Sequence, residues 1–468
     1  MTASSRTYLS LLVVACTLLT GGCGSMATRR SFYRPIAEQV RKGNYAAASL
    51  ALDKARDDGK FDEKDRFLYF MDAGLLAHYS DSLDKSTSQL SLAEKTSEEL
   101  FTKSVSRAAL SMLLNDNALE YAGEDYEVLY SNVFKALNFI SVDSFDAAFV
   151  EIRRANQKLE LLNQKYATAA EEYQKGNDQD SNHIPLTYKA VDVRFNNDAF
   201  VRYLSMQMYA AAGKYDDARI DSTAFVQAFT DQPNLYPFRQ PEVRFAVTDS
   251  SKALLSVVGL TGLAPVKEAK NFRIRTDKQL DVLSILYTEP TGEETVFENI
   301  PMKLNTDLYF KFSVPSIVQP LSVVTTVRVI VDGKALGELA LLEDVGIIAR
   351  ESFQAHKSLI YLKSIARAVV KGIAANRAKS KADTGGFGGW LKKAAIDVAS
   401  DLTENADLRC VQYLPGQIRV ADFAVTPGVH DIVFQFLGSD GQVVSEKIIP
   451  KYKVLKRGLN LLAAECLN

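Results

Sequence analysis

ALNFISVDSFDAAFVEIRRA, residues 136–155, carries two helical patterns with a turn between them. Ala136 and Phe139 belong to the first pattern. Asp143-Ser144-Phe145 is the turn, and Ala148, Ile152 and Ala155 recur at the three- and four-residue spacing of one helix face. A small residue at a helix–helix crossing lets two backbones approach, and an aromatic beside the turn fills the gap that remains. Such a pair leaves an apolar face that only a neighbouring pair can bury. Repeated copies are therefore the next thing to look for.

Three further copies precede and follow it. Gly43-Asn44-Tyr45 leads into Ala48, Leu52 and Ala55. Gly74 is followed by Ser86, Leu90 and Ala93, and Gly213-Lys214-Tyr215 by Ala218, with Tyr209 upstream. This spacing resembles the turn and second helix of a tetratricopeptide (TPR) repeat. The turns fall at unequal intervals (Tyr45, Leu83, Phe145, Tyr215), so the array is degenerate; an irregular helical bundle is the other reading. The expectation is a TPR-like α-helical solenoid over residues 31–230, with Tyr126, Tyr130 and Tyr209 as candidate partner contacts where they face outward and core packing as the other reading for each. Residues 176–183 (GNDQDSNH) read as a polar loop, and the helix before it is expected to project.

The pattern changes at residues 231–241 (DQPNLYPFRQP), where three prolines interrupt the helical spacing. A Pro-rich linker is placed at 231–250. Beyond it, β-branched and aromatic residues gather in short runs at 254–258, 281–287, 308–314, 323–331 and 336–342, with Asp332-Gly333 as a hairpin turn. Runs at 417–425, 429–437, 442–454 and 459–464 follow. They predict a C-terminal β-sandwich-like domain in two parts, 251–349 and 406–468. The fold class is therefore multidomain, α then β.

An inserted helical segment, 350–405, separates the two parts. Leu359, Leu362, Ala366, Val369 and Ile373 form its apolar face, and Lys363, Arg367 and Lys371 line another. Residues 350–381 hold eight Lys/Arg and one acid, Glu351. Lys363, Arg367 and Lys371 are candidate contacts to an anionic surface; a helical hairpin packed on the strands with a solvated basic face is the plainer alternative.

The N-terminus reads as a signal. Arg6 precedes an apolar run, residues 8–19, too short for a bilayer span of ~20 residues and suited to a signal sequence. Leu18-Leu19-Thr20-Gly21-Gly22-Cys23 resembles a lipobox, which implies cleavage after residue 22, acylation of Cys23 (palmitate among its chains) and a lipidated linker over 23–30. A plain secretory signal is the alternative. Gly24, with no Asp after the cysteine, resembles outer-membrane sorting. The expected location is the outer membrane, lipid-anchored and facing the periplasm. In that oxidising setting Cys410 and Cys466 form an even pair, so a disulfide is one expectation and two core thiols the other.

Chemistry-bearing patterns are few. The formal net charge of −2 argues against bulk nucleic-acid binding. His78, His183, His356 and His430 show no metal-ligand spacing, and no HExxH, GxSxG or P-loop is present. Residues 385–389 (GGFGG) read as a hinge. No cofactor, metal or catalytic set is expected. Lys267, closing the turn Gly262-Leu263-Ala264-Pro265-Val266-Lys267, could grip an anion, with a structural turn as the alternative.

Leu235-Tyr236-Pro237-Phe238, the 262–267 turn, Ala406-Asp407-Leu408-Arg409, Leu414-Pro415 and Pro427-Gly428 together resemble landmarks of a poorly characterised family of proteobacterial outer-membrane lipoproteins with TPR-like helical repeats. The resemblance runs from the lipobox to the C-terminus. It implies the same architecture and carries over no active site. The function expected is a membrane-anchored interaction scaffold in envelope assembly (cell-wall synthesis regulation, secretion or appendage structures). Its partners would be periplasmic or envelope proteins on the solenoid and the lipid membrane at acylated Cys23, with oligomers open. The alternatives are a lipoprotein binding a peptide, glycan or lipid, and an enzyme acting on cell wall or lipid.

Overall fold

A computed structural model describes residues 28–105, 119–159, 197–277, 279–288, 293–301, 309–354 and 406–468, with positions 161, 195, 357, 360, 361 and 364. Cys23, Lys363, Arg367 and Lys371, and the 176–183 and 385–389 loops, lie outside the described residues.

The first half is helical: α1 (Thr28–Arg41), α2 (Tyr45–Asp57), α3 (Arg66–Tyr79), α4 (Leu83–Val105), α5 (Asp125–Ser141), α6 (145–159), α7 (Ala199–Ala211) and α8 (Tyr215–Asp231). They pair as α1/α2, α3/α4, α5/α6 and α7/α8, and the turn within every pair is built alike. Gly43, Asp81, Asp143 and Gly213 each adopt a left-handed φ, between 56° and 75°. The next amide reaches back five residues: Asn44 N to Gln39 O, Ser82 N to Ala77 O, Ser144 N to Phe139 O and Lys214 N to Tyr209 O. This is the helix-ending bond that glycine and Asx residues favour. Gly74 is not one of these turns. It lies inside α3, where a Cβ would meet Leu90 Cγ at 2.6 Å, so it marks the crossing of α3 and α4.

The two members of a pair differ in burial. α3 buries nearly every side chain from Phe67 to Tyr79, and α5 and α7 are covered on almost all sides. By contrast α2 buries a stripe, Ala48, Ser49, Leu52 and Ala55, and α8 buries Ala218, Asp221, Phe225, Ala228 and Phe229. A helix apolar all round belongs between two layers; a striped one belongs on a surface. In the last three pairs the first helix, α3, α5 or α7, is thus the inner one, whereas α1 buries only Ile36 and Val40 among its described side chains.

What covers the inner helices is the second half. Its strands are β1 (Ala253–Leu263), β2 (Val266–Asp277), β3 (Val282–Thr288), β4 (Glu294–Pro301), β5 (Tyr309–Val318), β6 (Thr326–Val331), β7 (Lys334–Glu338), β8 (Ala340–Asp344), β9 (Pro415–Val425), β10 (Gly428–Leu437), β11 (Val443–Val454) and β12 (Leu461–Cys466). They form three four-stranded sheets, ordered β12-β1-β9-β8, β11-β10-β6-β7 and β4-β3-β2-β5. β1 runs parallel to β12 and antiparallel to β9. Alternate residues of β1 serve two cores: Val258 and Leu260 join the helices in one, and Leu255 and Val257 join β6 and β10 in another. Burial on both faces explains the unbroken apolar run of this strand. The third sheet has its own core, Phe272, Ile274, Phe312 and Val314, covered by Phe353 and Tyr361. Phe353 lies on the helix that opens at 345, directly after β8, so the described start of the insertion rests its apolar side on that sheet.

The segment read as a linker is packed. Leu235 and Tyr236 are buried in the core shared by helices and strands, and Tyr236 Oη accepts a hydrogen bond from Ala199 N at 3.0 Å.

Candidate functional site: the seam between helices and strands

Between the inserted helix and β9 the chain runs through residues 406–414 (ADLRCVQYL), with no helix or strand of their own until β9 begins. An unpaired backbone inside a protein needs hydrogen-bond partners, and here the inner helices supply them. Val411 N donates to Glu127 Oε1 of α5 at 2.7 Å. Gln412 N donates to Asp72 Oδ1 of α3 at 2.9 Å. Tyr79 Oη donates to the Tyr413 carbonyl at 3.0 Å. Both carboxylates are fully buried, each at 0% exposure.

Tyr33 of α1 donates to the other oxygen of Asp72 at 3.0 Å, and Tyr121 donates to Glu127 at 2.8 Å. Burial lifts the Asp72 carboxyl to about 8, against the pull of the Gln412 amide and the Tyr33 hydroxyl. Burial also lifts Glu127 to about 7, helped by the nearby Glu124 charge and opposed by Lys267. At the near end, Arg409 joins Asp407 Oδ2 at 2.7 Å and buried Asp65 at 3.2 Å, and its Nη1 donates to Leu119 O at 2.8 Å. Lys267, at the start of β2, pairs with Glu124. Burial works against its ammonium, but Glu124, Asp407 and Glu127 outweigh that and keep it protonated. The anion that Lys267 grips is the protein's own.

The same design recurs along the seam. Glu343 of β8 accepts from Tyr130 Oη at 2.8 Å and from Phe200 N at 3.2 Å. Asp198, the N-cap of α7, accepts from Val201 N at 2.7 Å. Burial raises both carboxyls, and the charge of Asp198 raises Glu343 further. Asp422 of β9 accepts from Tyr203 at 2.8 Å, Ser256 at 2.6 Å and Arg244 N at 2.8 Å. α3, α5 and α7 therefore each contribute a polar side chain or amide to the strand half.

Other candidates fall elsewhere. Tyr126 and Tyr130 are 3% and 1% exposed; they are packing residues and offer no surface to a partner. Tyr209 is half-buried against Phe149, ring centroids 5.1 Å apart. Cys410 and Cys466 are free buried thiols, so the disulfide is not formed: Cys410 sits in the seam, whereas Cys466 belongs to the core between the first two sheets. Burial pushes Cys410 up to about 12, which makes it a poor nucleophile. His78 bonds Asn138 Oδ1 at 2.6 Å and is lowered by burial to about 4, hence neutral and structural. Among the described residues no group of His, Cys, Asp and Glu could hold a metal ion, and no helix is long and apolar enough to cross a membrane.

Chemically the seam is an acceptor array for backbone amides and hydroxyls. Three landmarks quoted for the family resemblance, Tyr236, Lys267 and Asp407/Arg409, meet in it. The acids were missed from sequence, although α3 (RFLYFMDAGLLAHY) shows the signal: Asp72 is its one acid in an otherwise apolar run. Compared with family models, curated proteins and solved structures, the chain matches none.

Proposed function

We propose that this chain is an outer-membrane lipoprotein, acylated at Cys23 and facing the periplasm, that acts as a protein–protein interaction scaffold in envelope assembly. In this reading the paired helices are a TPR-like solenoid and the first two sheets a β-sandwich-like body, with no catalytic role. Anchoring raises the local concentration of the scaffold, so modest contacts can give stable assemblies. The inner helices are committed to the strand half, so partners would meet the outer helices. One observation carries that choice. Leu50, Val150 and Ile220 each stand five residues after the turn aromatic of α2, α6 and α8, and they are 70%, 43% and 67% exposed.

The test is crosslinking and pull-down from intact envelopes with the native chain, Cys23→Ala, and the triple variant Leu50→Ser, Val150→Ser, Ile220→Ser. Palmitate labelling should mark the native chain and the triple variant, and not Cys23→Ala. One envelope protein should be recovered with the native chain and lost with both variants. Equal recovery with the triple variant removes the outer-helix surface, and no recovery with any form removes the scaffold.

A further inference from the structure

Asp72 and Glu127 accept the amides of adjacent residues, Gln412 and Val411, so two fully buried carboxyls serve one segment of chain, and the Glu127 charge acts on Asp72. Asp72 is faced by the Tyr33 hydroxyl from α1, the Tyr79 hydroxyl of its own helix, the Gln412 and Tyr413 amides with the Cys410 thiol and Tyr413 hydroxyl from the segment, and the Glu127 charge from α5. Glu127 is faced by Glu124 and the Tyr121 and Tyr126 hydroxyls, by Cys410 of the segment, and by Lys267 of β2. Arg409 stands beyond, against Asp407 and Asp65. Lys267 is shared among Glu124, Asp407 and Glu127, and Arg409 between its two acids, so a charge on Asp72 added to one on Glu127 increases the excess of buried acid. Two like charges buried in one site cannot both be carried without opening it to water.

We propose that the seam is a pH-operated catch, in which the inner helices hold residues 406–414 while Asp72 and Glu127 are neutral and release them when both are charged. Release would uncover the inner faces of α1, α3 and α5. The inference needs neither the lipid anchor nor any partner.

The sign follows from proton uptake on closing. Both acids hold their protons more tightly in the closed seam than in an open chain. The catch is therefore strongest below the ordinary carboxylate range, weakens as pH rises, and has lost this contribution above about 7 for Glu127 and about 8 for Asp72. Between pH 5 and 8 each acid is expected to raise the opening constant of the segment by ~100-fold, and the two together by ~10,000-fold.

The experiment is amide hydrogen exchange on the full chain from pH 5 to 8, expressed as protection relative to an unstructured peptide of residues 406–414. Amides of Val411 and Gln412 should lose protection ~10,000-fold, while core amides of α8 stay constant. Asp72→Asn and Glu127→Gln, neutral with the acceptor oxygen retained, should flatten the dependence. Constant protection at Val411 and Gln412 overturns the proposal, as does a loss shared equally by α8 or an undiminished pH dependence in a folded variant. Should a variant fail to fold, the contrast between segment and α8 in the native chain decides alone.

Discussion

Lys135 offers the sharpest test of how the helices are joined. It lies on α5 at 1% exposure, with its ammonium 2.5 Å from Glu94 of α4 and 2.7 Å from Glu151 of α6. Asn132 adds bonds to the same two acids at 2.8 and 2.6 Å, and Lys158 reaches Glu94 at 2.6 Å. Lys135→Met keeps most of the side-chain volume and removes the charge. Breaking a buried pair by deleting one partner costs ~3–5 kcal/mol, because the other charge is left uncompensated. Lys158 still holds Glu94, and Arg154 still lies 3.2 Å from Glu151, so the lower end, ~3 kcal/mol, is expected. With a urea m-value near ~3 kcal/mol/M this moves the midpoint down by about 1 M. Lys135→Met combined with Glu94→Gln and Glu151→Gln removes the stranded charges and should recover most of the loss. Urea titration followed by far-UV circular dichroism reads both. The native chain also has an acid limit here. Burial pushes Glu94 up, but Lys158 and Lys135 outweigh it and hold the carboxyl at about 2. Its stabilisation is thus complete above the ordinary carboxylate range and is lost as pH falls through about 2. In Lys135→Met that loss should begin at higher pH. A midpoint shift equivalent to less than ~1 kcal/mol, in the range of an exposed pair, would refute the reasoning, and so would a triple variant no better than the single one.

Two further expectations concern packing and thiols. Gly74→Ala places a methyl 2.6 Å from Leu90 Cγ; overpacking of ~1–3 kcal/mol should exceed the ~1 kcal/mol gained in helix propensity, and a raised urea midpoint would contradict the close crossing of α3 and α4. Cys410 and Cys466 are buried, with thiols lifted by burial to about 12 and about 11; a thiol reagent at pH 7.5 should leave both unlabelled until denaturant is added, after which both label without prior reduction. Fast labelling of the folded chain, or a need for reductant, would count against the buried free thiols.

Three of the four helix pairs were legible because each leaves a local mark: a left-handed turn residue, an aromatic two positions later, and a small residue three further on, as at Gly43, Tyr45 and Ala48 or Asp143, Phe145 and Ala148. The second pair was read through Gly74, because glycine signals both turns and close crossings; the turn residue is Asp81, which sequence alone does not distinguish from any exposed acid. Several strands escaped. β2 (VKEAKNFRIRTD) alternates charged and apolar side chains with one face in water, and only the pairing of Phe272 with Tyr287 and Phe312 makes it a central strand. The run at 336–342 was read as one strand but divides at Leu339, β7 joining the second sheet and β8 the first. The seam was illegible for a different reason. Gln412 N and Asp72 are 340 positions apart, and no local rule says which buried acid will meet which amide.

The burial asymmetry within helix pairs has a consequence for the whole chain. α3, α5 and α7 are buried on nearly every side, and the surface they present to the strands carries Asp72, Glu127 and the Phe200 amide, each matched to a group of the second half. Exposing these faces to water would cost apolar burial, while keeping them dry without the strands would leave those polar groups unpaired. The helical half and the first sheet therefore stabilise each other as one core, with residues 406–414 as the piece of chain that passes between them. An inner surface already filled in this way differs from an open groove waiting for a ligand. Among the described residues, the surfaces left open to the proposed partners are the outer helices and the exposed strands, unless the seam itself is first released.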